Sequence, residues 1–151
     1  MAAAEAPPLG VYMGKEFKLF RQSLLGDYCH AFSSLPINER DCFSPPSDAS
    51  IEVAWELFCR LNLRHEPPTK VLPSPEGGVG LCFCRNGKYA DFECFNSGII
   101  LVAMSDRHGK IDVFEVDLHK EAEVDDVISR IGHFLGRQAG DALPLAASCR
   151  K

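Results

Sequence analysis

With 151 residues the chain is long enough for one domain with a substantial core. Hydrophobic residues at 46% and charged residues at 25% exclude a disordered polypeptide. The net charge of −5, with both signs interspersed, argues against a nucleic-acid partner held by a strong positive field. No apolar run reaches the roughly 18–20 residues that cross a bilayer, so no membrane partner is expected.

Met1 to Leu9 lacks the basic and apolar regions of a secretory signal, and residues 1–14 read as a flexible tail. From Lys15 to Phe32 the spacing of Phe17, Phe20, Leu24, Tyr28 and Phe32 predicts a helix, with Gly26 as a weak point. Ser33 to Pro46 holds three prolines and several turn formers, and is predicted to be a loop without regular structure. Ser47 is then placed to cap a helix over about Asp48 to Leu63. Its stripe of Ile51, Ala54, Trp55, Phe58 and Leu61 puts the only tryptophan on the buried face. Pro67-Pro68 closes that segment.

Short strands joined by glycine-marked turns follow. Val71 and Leu72 form a brief strand before the turn at Pro73 to Gly78. Asn86-Gly87 is the strongest hairpin signal, because both central residues of a type I′ turn need positive φ. A two-residue loop there pairs Arg85 with Lys88, Cys84 with Tyr89 and Cys82 with Asp91. One face then carries Val79, Leu81, Phe83, Ala90, Phe92 and Cys94. The other carries Gly80, Cys82, Cys84, Tyr89, Asp91 and Glu93. Asn96-Ser97-Gly98 reads as a three-residue loop with Gly98 in the left-handed region. Ile99 to Met104 is apolar throughout, as in a central strand covered on both sides, so alternation does not assign its inner face. Asp106 to Gly109 is the next turn, and Ile111 to Val116 completes the meander.

Val124, Val127, Ile128, Ile131, Phe134 and Leu135 describe a last amphipathic helix. Acidic residues crowd its start, and His133 and Arg137 lie towards its end, as the helix dipole favours. Residues 138–151 read as a second flexible tail, leaving a single domain over 15–137.

No catalytic constellation emerges. Cysteines stand at Cys29, Cys42, Cys59, Cys82, Cys84, Cys94 and Cys149, an odd number with no C-x-x-C pair, which fits free thiols and a cytoplasmic protein. Cys82 and Cys84 point to one strand face, but Cys94 falls on the other and no histidine is close in sequence, so no metal or cofactor is expected. Cys29 and His30 are adjacent on a helix and diverge, and the five histidines do not group. The glycine-rich run Glu76 to Gly80 lacks the Lys-Ser/Thr of a phosphate loop and leads into a strand. Asp91 and Glu93, joined by Glu115 or Asp112, are either an acid pair or a solvated face.

The stretch from Pro45 to Val116 carries a Pro-Ser helix start, a Val-x-Pro lead-in, a Gly-Gly-Val strand start and the meander Asn-Gly-Lys-Tyr-Ala-Asp-Phe-Glu-Cys-Phe-Asn-Ser-Gly. In these features it resembles a widespread class of small bacterial proteins. That resemblance implies an accessory product of mobile or defence-related gene clusters, antitoxin-like or immunity-like, and assigns no active site.

The expected fold is therefore α+β, an antiparallel meander of four or five strands packed against two or three helices. The leading expectation for function is a non-enzymatic module that binds another protein, as inhibitor, antitoxin or immunity partner. Tyr89, Asp91, Glu93, Ile99 and Leu101 are its candidate partner-binding residues. The alternatives are a ligand-binding protein or enzyme with a pocket between sheet and helices, and a homodimer that buries a sheet face.

Overall fold

The computed structural model describes residues 14–136; apart from Gly14, the expected tails and Cys149 lie outside them. Helix α1 (Lys15–Ser34), a short 3-10 helix (Ile37–Cys42) and helix α2 (Asp48–Leu63) come first. Strands β1 (Lys70–Pro73), β2 (Gly78–Arg85), β3 (Lys88–Phe95), β4 (Ile100–Ser105) and β5 (Ile111–Val116) follow, and helix α3 (Glu121–Phe134) ends the described chain. The strands form one antiparallel sheet in sequence order, so the fold is the expected α+β meander with five strands.

Turn chemistry sets the register. Asn86 and Gly87 take φ of 54° and 72°, the type I′ signature, and Arg85 pairs with Lys88, Cys84 with Tyr89 and Cys82 with Asp91 as expected. The other three hairpins share a second design, a three-residue loop whose last residue is a glycine at positive φ: Gly77, Gly98 and Gly109. Each loop is closed by an N–H to carbonyl bond across it: Ser74 to Gly78 at 2.9 Å, Phe95 to Ile99 at 2.9 Å, and Asp106 to Lys110 at 3.1 Å.

Because side chains alternate across a strand, this register divides the sheet into two faces. Val79, Leu81, Phe83, Ala90, Phe92, Cys94, Ile100, Val102, Met104 and Val116 all enter the hydrophobic core with Phe17, Leu24, Ile51, Trp55, Leu57, Leu61, Val124, Val127, Ile128 and Ile131 from the helices. Strand β4 departs from the two-sided covering that its composition suggests. Its burial alternates, with Ile100, Val102 and Met104 buried and Leu101 and Ala103 half-buried on the opposite face. It lies between β3 and β5, one place from the edge, and only its inner side joins the core.

The helices are tied to the strand turns by side-chain amides. Ser47 caps α2 by accepting from Ser50 N at 3.1 Å. Asn96, in the β3–β4 loop, accepts from Ser47 N at 2.8 Å and Ser50 Oγ at 2.9 Å, and donates to Pro45 O at 2.9 Å. At the other end of the sheet Asn86 donates to Leu135 O at 2.8 Å and Lys88 Nζ to Phe134 O at 2.9 Å. These bonds satisfy carbonyls that the end of α3 leaves free.

The segment predicted to lack regular structure does not lack it. Helix α1 runs on to Ser34, and Ile37 to Cys42 forms the 3-10 helix. Its prolines flank the turn instead of interrupting it, and an aromatic cluster fixes it. Tyr28 stacks on Phe32 and Phe43, Arg40 lies 5.2 Å over the Phe32 ring, and Tyr28 donates to Phe43 O at 3.1 Å.

Candidate functional site on the outer face of the sheet

The second face of the sheet contributes no residue to the hydrophobic core or to the half-buried shell packed on it. Its side chains stand in three rows across the strands. One row runs Leu72, Gly80, Glu93, Leu101, Glu115; the next runs Lys70, Cys82, Asp91, Ala103, Val113; the third holds Cys84, Tyr89, Ser105 and Ile111. The central strand therefore places Asp91 between Cys82 and Ala103, and Glu93 between Gly80 and Leu101. Three of those four neighbours are small. Larger apolar side chains stand further out, and four of them are exposed: Leu72, Tyr89, Ile111 and Val113, the last at 55%.

The carboxylates at the centre are not solvated groups on a strand surface. Asp91 is only 8% exposed. Tyr89 donates its hydroxyl hydrogen to Asp91 Oδ2 at 2.6 Å, and the same oxygen of Tyr89 is 3.5 Å from Cys82 Sγ. Asp91 Oδ1 and Glu93 Oε2 are buried without a hydrogen-bond partner. Burial pushes the Asp91 carboxyl above its ordinary range, and the Tyr89 hydroxyl and Ala103 backbone N–H offset only part of that. Burial likewise raises Glu93, helped by the charges of Asp91 and Glu76 and opposed by a hydrogen bond from Ser74. The Tyr89 hydroxyl is held protonated by burial and by its bond to Asp91, and the Cys82 thiol is pushed up by burial.

The sign of these shifts gives a prediction. A carboxyl whose folded pKa exceeds its unfolded value stabilises the fold when protonated and loses that contribution as pH rises through the folded value. Glu93→Gln, which keeps the Ser74 bond and removes the charge, is expected to melt above the parent at pH 7. Its advantage should shrink as the pH is lowered towards 4, where the parent's Glu93 takes up its proton. Thermal melts of both chains across pH 4–8 check this.

Of the five residues singled out from sequence, the structure brings Tyr89, Asp91, Glu93 and Leu101 onto this face. Ile99 stands apart: it precedes β4, is 45% exposed, and lines a cleft with Val53 of α2 and Leu118. Glu115 joins the outer face, whereas Asp112 pairs with Met104 on the helix side and bonds Arg130 at 3.2 Å. Leu72, Ile111 and Val113 belong to the site and were not singled out. Placing Ile111 to Val116 in register against β4 through the Arg107-His108-Gly109 loop would have found the last two.

Two clefts among the described residues involve the helices. A cleft of about 530 Å³ between α3 and the β4–β5 hairpin has Met104 and Phe134 among Asp106, Lys110, Asp112, Arg130 and His133. A second, of about 510 Å³, includes Val53, Ile99 and Leu118 with Glu52, Glu56, Glu115 and Asp117. In neither cleft do Tyr89, Asp91, Glu93 or a cysteine take part. Cys94 is buried on the inner face, its thiol pushed up to about 12 by burial, and Cys82 and Cys84 point the other way. Among the described residues no three potential ligands converge on a metal position, and the six described cysteines are unbridged.

Compared with protein-family models, curated proteins and solved structures, the chain matches none of them.

Proposed function

We propose that the chain is a non-enzymatic protein-interaction module that docks a protein partner on the outer face of its sheet. One observation carries this reading: the core draws its strand residues from a single face, leaving Leu72, Tyr89, Ile111 and Val113 exposed on the other around the buried Asp91 and the half-buried Glu93. Exposed apolar side chains gathered on one face in this way mark a surface that a partner covers. The resemblance of the meander to accessory small bacterial proteins favours an inhibitor, antitoxin or immunity-type role. The unbridged cysteines favour a reducing, cytoplasmic setting.

Two exposed apolar residues make the test specific. Val113, 55% exposed, lies on the outer face, and Leu63, 73% exposed, lies at the end of α2. Tagged parent, Val113→Glu and Leu63→Glu chains are produced in the native host, and the proteins that co-purify are quantified. A stoichiometric partner retained by Leu63→Glu and depleted at least tenfold by Val113→Glu, about 1.4 kcal/mol of binding, is the expected result. Equal recovery on all three chains would sink the assignment of the face.

A further inference from the structure

We infer that two copies of the chain pair along strand β5, antiparallel about a two-fold axis at Val113, into one continuous sheet. β5 is an edge: it pairs with β4 alone, and among the described residues no other backbone group bonds to it. The ladder shows which of its groups are free. Asp106 N–H donates to Lys110 O at 3.1 Å, and bonded pairs alternate with non-bonded ones along an antiparallel ladder. Asp112, Phe114 and Val116 therefore turn their N–H and C=O towards β4. Ile111, Val113 and Glu115 turn theirs outward.

The two edges of the sheet differ in protection. β1 is four residues long, carries Lys70 and Pro73, and has α1 packed against it. Shortness, lysine, proline and a covering helix all keep an edge from recruiting strands. β5 is six residues long, has no lysine, proline or break in its register, and exposes Ile111 at 65% and Val113 at 55%. Such an edge is a template for another strand.

A second copy fits this template because the strand is complementary to itself. With Val113 opposite its own copy, Ile111 stands opposite Glu115 and Asp112 opposite Phe114. Every outward N–H and C=O of the strand then meets one from the other copy, and no like charges stand directly opposite. Arg130 adds a charge match. Its guanidinium lies 4.7 Å over the Phe114 ring and bonds Asp112 at 3.2 Å. The register sets the other copy's Asp112 against Phe114, in a non-bonded pair where side chains approach most closely. Each Arg130 thus lies between two carboxylates, its own and the other copy's. On the opposite face Ile111 and Val113 of both copies meet across the seam. A single strand pair is smaller than a standard interface, so the dimer is reversible. It uses the edge of the sheet and does not depend on what covers the outer face.

Sedimentation equilibrium of the full-length chain, at concentrations up to about 0.5 mM, should show monomer and dimer in exchange. Val113→Pro removes an outward N–H and leaves the β4 ladder intact, so it should weaken the dimer by about tenfold or more. Leu72→Glu, on the outer face at the far edge, should leave it unchanged. Asp112→Arg and Arg130→Asp chains should each dimerise poorly alone and pair with each other when mixed, because each supplies the charge the other lacks. That swap decides the matter if Val113→Pro does not fold. A monomer throughout the range, a dimer that persists on a folded Val113→Pro chain, or one lost on Leu72→Glu overturns the edge pairing. Swapped chains that associate no better mixed than apart overturn the register at Val113.

Discussion

Gly78→Ala is expected to destabilise the fold by about 3–4 kcal/mol, a large share of the roughly 5–15 kcal/mol that holds a domain together. Gly78 opens β2 at φ 139°, in a region that L side chains rarely enter. A methyl group there would lie 2.2 Å from the carbonyl oxygen of Cys94 and 2.9 Å from Phe95 Cα. Both are backbone atoms of the paired strand and cannot move without opening the ladder. Gly87, also at positive φ, is a milder case. Its added carbon would meet the guanidinium of Arg107 at 2.8 Å, the mobile end of a long side chain. Gly87→Val should therefore cost about 1–3 kcal/mol, mostly from the turn conformation. Urea unfolding of both variants beside the parent gives the order, and a Gly78→Ala midpoint equal to the parent's would refute the contact.

The different fates of these two glycines show what a sequence can and cannot disclose. Asn86-Gly87 announced its turn because the chemistry is local: two adjacent residues must take positive φ, and few pairs do so readily. Once that turn was placed, strand alternation carried the register to Asp91 and Glu93, which the structure reproduces pair for pair. Gly78 gave no comparable signal, since its constraint comes from Cys94 and Phe95, which lie sixteen and seventeen residues later. The same limit hid the second duty of Asn96 and Asn86. Each is recognisable as a turn former, yet each also fastens a helix end through its side-chain amide, α2 in one case and α3 in the other. The 3-10 helix was missed because three prolines suggest irregularity, whereas the aromatic contacts that order it come from the preceding helix. As for the site, alternation identified which residues share a face. It did not say that one face would stay outside the core, because the uniformly apolar β4 fits either arrangement.

Phe92→Ala should lower stability by about 3–5 kcal/mol, and the melting temperature by on the order of 10 °C. Phe92 is fully buried at the middle of the central strand, paired with Leu81 and Val102, with the Phe83 ring 6.4 Å away. Removing its ring leaves a cavity that the neighbouring strands, fixed by their ladders, cannot collapse to fill. The neighbouring residue Asp91 makes the experiment informative about function. The two side chains leave the same strand in opposite directions, one into the core and one onto the outer face. Phe92→Ala should thus lower the folded fraction while the molecules that remain folded bind as before. Asp91→Asn should stay folded and bind poorly. Chemical unfolding combined with binding measured at a temperature where both variants are folded separates the two effects. If Phe92→Ala weakens binding as much as Asp91→Asn does among folded molecules, the outer face is not independent of the core beneath it. The docking surface would then have to be sought in the clefts on the helix side.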